Sequence, residues 1–160
     1  MPKEDYLLKY LEKLSHVIAA MFGFRDKGFP EDALRLADEA YKELLNFNLE
    51  ELAIMPVEIF VETIKKIGYS GNYLEALAGL AHETANSFLA QENVSHAQSF
   101  YQKALELYYL LNEKDKTFSF EREMKITELL LCRPLEPYLS LQAQTSYIPG
   151  SLAEWLRRCV

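Results

Sequence analysis

The sequence predicts an all-α protein of six or seven helices followed by an irregular tail. Apolar residues recur at helical spacing nearly everywhere, and no stretch shows the sustained apolar–polar alternation between turn signals that a strand requires. Only six glycines and six prolines occur in 160 residues, which leaves little room for low-complexity linkers. These observations indicate one helical domain at 1–132 and a separate tail at 133–160.

The first four helices are bounded by clear breaks. Apolar stripes predict helices over 3–26 and 30–45, separated by "DKGFPED", in which Pro30 suits the first turn of the second helix. The stretch "NLEELAIMP" predicts a short helix that stops before Pro56, and "VEIFVETIKKIG" predicts another that ends at Gly68.

Three longer segments follow. Asn72 is the expected N-cap of a helix over 73–91, and Asn93 is the expected N-cap of a helix that extends to about residue 112. A further helix is predicted over 117–132. One face of this last helix carries three large apolar residues, Phe120, Met124 and Leu131.

The chain changes character at Arg133. Residues 133–160 carry only five charged residues, and their three prolines predict extended or irregular structure. The final "SLAEWLRRCV" predicts a short amphipathic helix, because Ser151 and Glu154 have capping-box spacing. Since the tail is rich in apolar residues, we expect it to dock on the helical domain of its own chain. A neighbouring copy, and a membrane surface or outside partner, are the alternatives.

Charge and composition disfavour several classes of partner. The formal net charge is −7 and no basic cluster is present, which argues against nucleic acid. No segment approaches the roughly 18 apolar residues of a membrane span, and the N-terminus has acidic residues where a signal peptide would be basic. The two distant cysteines, Cys132 and Cys159, are expected to be reduced. We therefore expect a cytoplasmic protein without a membrane partner.

The stretch "LAHETANSFLAQENVSHAQSFYQKALEL" resembles a tetratricopeptide repeat. Small residues stand at Ala85, Ala97 and Ala104, aromatic residues stand at Phe88 and Tyr101, and a short break separates two helices. In this pattern small side chains let antiparallel helices approach closely, and the aromatic side chains fill the space beside them. The resemblance implies antiparallel helical hairpins stacked in a right-handed superhelix.

Similar offsets recur 64 residues earlier in the chain. Ala33 and Ala40 correspond to Ala97 and Ala104, whereas Met21 stands where the later unit has a small residue. This methionine is expected to hold its two helices further apart. The arrangement of two hairpins also looks like a small bacterial tetratricopeptide-like family of unknown function, which would supply a fold and no activity.

The resemblance implies a function in protein–protein interaction. Tetratricopeptide proteins bind extended or helical segments on the face formed by the first helix of each repeat. Carried over by position, this groove contains Ile18, Phe22, Arg25, His82, Asn86 and Leu89. In the family, an asparagine at the position of Asn86 hydrogen-bonds a bound peptide backbone. The lysine that clamps a terminal carboxylate is absent at His82, which disfavours a carboxylate-clamp adaptor.

The motif "HETAN" at 82–86 is the strongest candidate for chemistry. It falls one residue short of the zincin pattern, because Asn86 occupies the position of the second histidine ligand. His96 is a poor substitute, since a helical hairpin would place it about 10 Å from His82 along the axis. We therefore expect no catalytic residue, metal or cofactor. A homo-oligomeric assembly, such as a homodimer, and a helical metal-binding enzyme are the alternatives to an interaction module.

Overall fold

The structure, a computed structural model, is entirely helical in the part that it describes. It covers the backbone of residues 2–68 and 70–132, and the side chains of 8–68 and 70–131. Seven helices and no strands occur in these residues, which confirms the predicted all-α class. The predicted tail, its terminal amphipathic helix and the two cysteine side chains lie outside the described residues.

The seven helices follow the predicted order closely. They are α1 (Pro2–Asp26), α2 (Pro30–Leu45), α3 (Leu49–Ile54), α4 (Val57–Ile67), α5 (Gly71–Ala90), α6 (Val94–Lys114) and α7 (Phe120–Cys132). The predicted ends of α2, α3 and α4 agree with the structure. Helix α4 ends as expected at Gly68, whose positive φ of 71° lies in the left-handed region that glycine tolerates best.

Local capping explains where the longer helices begin. The Asn93 side chain accepts a hydrogen bond from the His96 amide at 3.2 Å, which confirms the predicted cap of α6. The predicted cap of α5 is wrong by two residues, because the helix already begins at Gly71 and Ser70 is its N-cap. Helix α7 begins at Phe120, three residues after the predicted start at residue 117. The Ser119 hydroxyl, just before the helix, accepts a hydrogen bond from the Arg122 amide at 3.3 Å.

Two helical pairs form the centre of the fold. Three residues join α1 to α2, and three join α5 to α6, so the members of each pair run antiparallel. Helices α5 and α6 make the most extensive contact, and both α1 and α2 pack against α5. The chain thus places one hairpin directly against the first helix of the other.

The alanines that carry the repeat-like pattern are buried at these contacts. Ala33, Ala85, Ala97 and Ala104 have no exposed surface, and Ala40 is also buried. Tyr101 and Phe88 lie in the same core, and the Phe88 ring stacks on Phe100 of α6 with ring centroids 5.6 Å apart. The sequence prediction that these small residues are packing positions is therefore confirmed.

Helices α3 and α4 cover α6 from another side, where they are held by a buried lysine. The Lys103 amine donates hydrogen bonds to the Met55 carbonyl and to the Ser99 hydroxyl, each at 2.7 Å. The Ser99 hydroxyl in turn donates to the Ala53 carbonyl at 2.7 Å. Burial lowers the pKa of Lys103 to about 8. These bonds tie the end of α3 to α6.

Helix α7 packs on α6 through a face that the sequence did not single out. Ile126 and Leu129 are buried, and the buried Arg122 guanidinium donates to Asn112 at 3.0 Å and to Asp115 at 3.2 Å. The three apolar residues of the predicted face, Phe120, Met124 and Leu131, are instead exposed. They do share one face of α7, but this face points away from α6.

We predict that Ala104→Leu destabilises the protein by about 1–3 kcal/mol, because the added side-chain atoms have no space in a closely packed contact. Chemical denaturation measures the free energy of unfolding. Ala20→Leu is the matched control, since Ala20 is exposed on α1 and the same substitution there adds no buried volume. Equal stability of the two variants would contradict close packing at Ala104.

Candidate functional site

Helix α5 is buried on all sides except along one strip. Apart from its two terminal residues, the α5 residues that are not buried are Asn72, Glu75, Ala76, Gly79 and His82. Their spacing places them within about one third of the helix circumference. We call this surface the α5 strip. No large side chain projects from its middle, because the residues there are Ala76 and Gly79.

Helices α1 and α7 form the two edges of the α5 strip. On one edge, Ile18 of α1 packs beside Gly79, where an added methyl group would make ordinary contact with its Cδ1 atom at 3.5 Å. On the other edge, Glu128 Oε1 of α7 lies 3.8 Å from His82 Nε2. The strip is therefore a partly exposed surface with small side chains, which α1 contacts at Gly79 and α7 approaches at His82.

A buried ion pair holds α1 against α5 beside the strip. Arg25 Nε donates to Glu83 Oε1 at 2.6 Å, and Arg25 Nη2 donates to Glu83 Oε2 at 3.4 Å. Both side chains are only 9% exposed. This paired geometry orients the guanidinium, which lies 5.1 Å from the ring centroid of Phe22. Phe22 itself is 53% exposed at the edge of the strip.

The ion pair continues into a hydrogen-bond chain that reaches α6. Asn86 Nδ2 donates to Glu83 Oε2 at 3.5 Å, and Asn86 Oδ1 accepts from the Tyr101 hydroxyl at 2.5 Å. Burial raises the pKa of Tyr101, so this hydroxyl remains protonated and acts as the donor. The chain links α1, α5 and α6 through one set of polar contacts.

A second polar contact in the same region joins α2 to α5. The Thr84 hydroxyl donates to the Leu80 carbonyl at 2.7 Å, so its oxygen accepts from the Tyr41 hydroxyl at 3.2 Å. Both Tyr41 and Thr84 are buried. The polar side chains on the inner side of α5 thus have partners on each of the surrounding helices.

His82 is the histidine of the α5 strip. Its ring packs edge-on against Tyr101 with centroids 5.9 Å apart, and its Nε2 atom has no hydrogen-bond partner. Burial lowers the pKa of His82 to about 4, and the positive charges of Lys125 and Arg25 act in the same direction. The Glu128 carboxylate is too distant and too exposed to offset this. The ring is therefore neutral near pH 7.

The structure brings most of the predicted groove residues to one region but gives them unequal exposure. Phe22 is exposed, Ile18, Arg25 and His82 are mostly buried, and Asn86 and Leu89 are buried. Asn86 and Leu89 lie at the end of α5 where the strip closes. Their assignment to a peptide-binding groove remains a prediction.

The structural roles of three residues in this region did not emerge from the sequence. Glu83 and Tyr101 are the partners of Arg25 and Asn86, and Gly79 forms the floor of the strip. The repeat-like pattern marked Tyr101 as an aromatic packing position, but nothing in the sequence indicated its hydrogen bond to Asn86. The partner of Arg25 lies 58 residues away, which no local spacing indicates.

His82 of the near-zincin motif and His96 have separate surroundings. His82 lies beside Tyr101 and Glu128, whereas His96 lies 3.1 Å from Glu50 and packs on Phe88. Within residues 8–68 and 70–131, no three histidine, cysteine or acidic side chains lie close enough together to hold a metal ion.

Comparisons with known proteins identify no relative of this chain. No protein-family model, curated protein or solved structure shows significant similarity to it. None of the helices that the structure describes combines the length and the apolar character needed to cross a membrane.

We predict that Glu83→Gln lowers the free energy of unfolding by about 3 kcal/mol, because it leaves the Arg25 charge without its carboxylate in a largely buried site. Chemical denaturation provides the measurement. The double variant Arg25→Met/Glu83→Met should recover much of this loss, since it removes both charges and keeps apolar volume. Losses for Arg25→Met and Glu83→Met that simply add up to the loss of the double variant would contradict a coupled pair.

We predict that His82 makes the protein sensitive to acid. The unfolded chain binds a proton at His82 near pH 6.5, whereas the folded chain resists protonation down to about pH 4. This contribution to stability is complete above pH 6.5 and is lost as the pH falls to 4, on the order of 3 kcal/mol. His82→Phe keeps an aromatic ring and removes the titration. Parallel stability curves for wild type and variant over this range would refute the assignment.

Proposed function

We propose that this chain is a non-enzymatic, tetratricopeptide-like interaction module of the bacterial cytoplasm that binds a peptide or partner helix along the α5 strip. The observation that carries the proposal is the burial of α5 on every side except this strip. A partly exposed helix surface with small side chains beside two other helices suits the docking of an extended or helical segment.

The arrangement of helices supports the tetratricopeptide-like part of the proposal. Two antiparallel hairpins lie against each other, with fully buried alanines at the repeat-like positions. The α5 strip and Phe22 belong to the first helices of these two hairpins. In the tetratricopeptide pattern this is the side on which partners bind.

Phe22 is the side chain best suited to anchor a partner. It is half-exposed, large and apolar, and it borders the strip next to Ile18. The Arg25 guanidinium beneath it is fixed by the ion pair with Glu83. Because this support is rigid, less conformational entropy is lost when a partner packs on the ring. Buried aromatic anchors of this kind commonly dominate binding energy.

The charges along the strip indicate which partner it suits. Glu75 is exposed on the strip, and the Glu128 side chain is 52% exposed on its α7 edge. Together with the net charge of −7, these carboxylates favour a partner segment that combines an apolar anchor with a basic side chain. The small side chains at Ala76 and Gly79 keep this part of the strip free of bulky groups of α5 itself.

We predict that Phe22→Ala and Gly79→Gln each abolish partner capture, the first by removing the anchor and the second by placing a long side chain on the strip. Capture is measured by pull-down with the purified variants from a bacterial lysate, followed by mass spectrometry. Both substitutions are at positions that are not fully buried, and circular dichroism should show unchanged helix content.

Ile54→Ala is the matched control for this experiment. Ile54 is a large, exposed apolar residue on α3, away from the α5 strip. Partners that are lost with Phe22→Ala and Gly79→Gln but retained with Ile54→Ala would support the proposal. An identical set of partners for all four proteins would refute the strip as the binding surface.

A further inference from the structure

Helix α7 carries apolar residues on two opposite faces. The inner face contains Ile126 and Leu129, which are buried against the helical domain. Successive helical residues are rotated by about 100°, so Phe120, Met124 and Leu131 form a stripe nearly opposite to this face. These three side chains are 69%, 58% and 62% exposed. We call this stripe the outer face of α7.

An apolar outer face of this kind is unfavourable in water. A helix at a protein surface normally has one apolar stripe and a polar opposite side, whereas a helix with apolar residues on both sides is covered on both. Phe118, two residues before the start of α7, is also largely exposed and adds an apolar side chain near the first turn of that helix. The outer face therefore needs a covering element.

We propose that the amphipathic segment 151–160 of this same chain docks as a helix on the outer face of α7. The segment is outside the described residues, but its sequence has the required pattern. Leu152, Trp155, Leu156 and Cys159 recur at helical spacing, so a helix over 151–160 presents one apolar stripe. The docking buries this stripe against the outer face of α7.

Length and connectivity favour this occupant. A ten-residue helix is about 15 Å long, and the stripe from Phe120 to Leu131 extends about 16 Å along α7. Residues 133–150 continue directly from the end of α7 and can span up to about 60 Å when extended. Even a strongly bent connection is therefore long enough to return the segment along α7.

Charge complementarity also favours the segment 151–160 as the element that covers the outer face of α7. The exposed side chains Glu121, Glu123 and Glu128 lie on the flanks of α7 between its two apolar faces. Arg157 and Arg158 of the tail can meet such carboxylates at the rim of the contact. The amphipathic segment contributes two arginines against one acidic residue, so its charge opposes that of the α7 flanks.

Trp155 reports directly on this contact, because it is the only tryptophan in the chain. In the full-length protein we expect blue-shifted Trp155 fluorescence that acrylamide quenches poorly, together with a monomeric mass by light scattering. Met124→Glu should shift the emission toward that of the denatured chain, since it places a charge in the docking surface. Ile54→Glu, a charge at another exposed apolar position on α3, should leave the emission unchanged.

Three results would overturn the proposal. Water-exposed Trp155 emission in the wild type would show that the segment is not docked, and unchanged emission in Met124→Glu would show that it docks elsewhere. Blue-shifted emission that requires a dimeric mass and is lost on dilution would assign the outer face to a second copy. If circular dichroism shows that Met124→Glu loses helix content, Leu131→Ser is the second variant, and the same readings apply to it.

Discussion

The close approach of α5 and α6 is the constraint on which the rest of the structure depends. Three alanines of α5, Ala78, Ala81 and Ala85, and two of α6, Ala97 and Ala104, are fully buried. Small side chains at these positions let the backbones approach, while Phe88, Phe100 and Tyr101 fill the wider spaces. The other helices then have fixed surfaces on which to pack: α1 and α2 on α5, and α3, α4 and α7 on α6.

This arrangement also accounts for the polar groups inside the fold. Glu83, Thr84 and Asn86 project from α5 into a crowded interior and find partners on α1, α2 and α6. Each contact satisfies groups that would be costly to bury alone, and each fixes the position of a neighbouring helix. The α5 strip is the part of the helix that its neighbours leave partly exposed, and its shape follows from where those neighbours are held.

Local patterns in the sequence were sufficient to predict the helices and the positions at which they pack closely. Helix ends are marked by Asn93, whose side chain caps α6, and by Pro30 and Gly68, whose backbone conformations suit a helix start and a helix end. The alanines at 33, 97 and 104 are buried as the repeat-like spacing predicts. Local spacing could not identify the Arg25–Glu83 pair, because its members come together only when α1 packs on α5. Local spacing also did not show which apolar stripe of α7 faces the core, because periodicity identifies the residues that share a face but not the helix against which that face packs. Whether the hairpins continue the tetratricopeptide superhelix stays a prediction.

Native-state hydrogen exchange tests most directly whether the α5–α6 contact is the centre of stability. If it is, the slowest-exchanging amides lie in the middle of α5 and α6 and open only on global unfolding, while amides of α7 and of the first turns of α1 exchange sooner. The contrary result would be fast exchange in α5 and α6 together with the slowest amides in another helix, which would place the centre of the fold elsewhere.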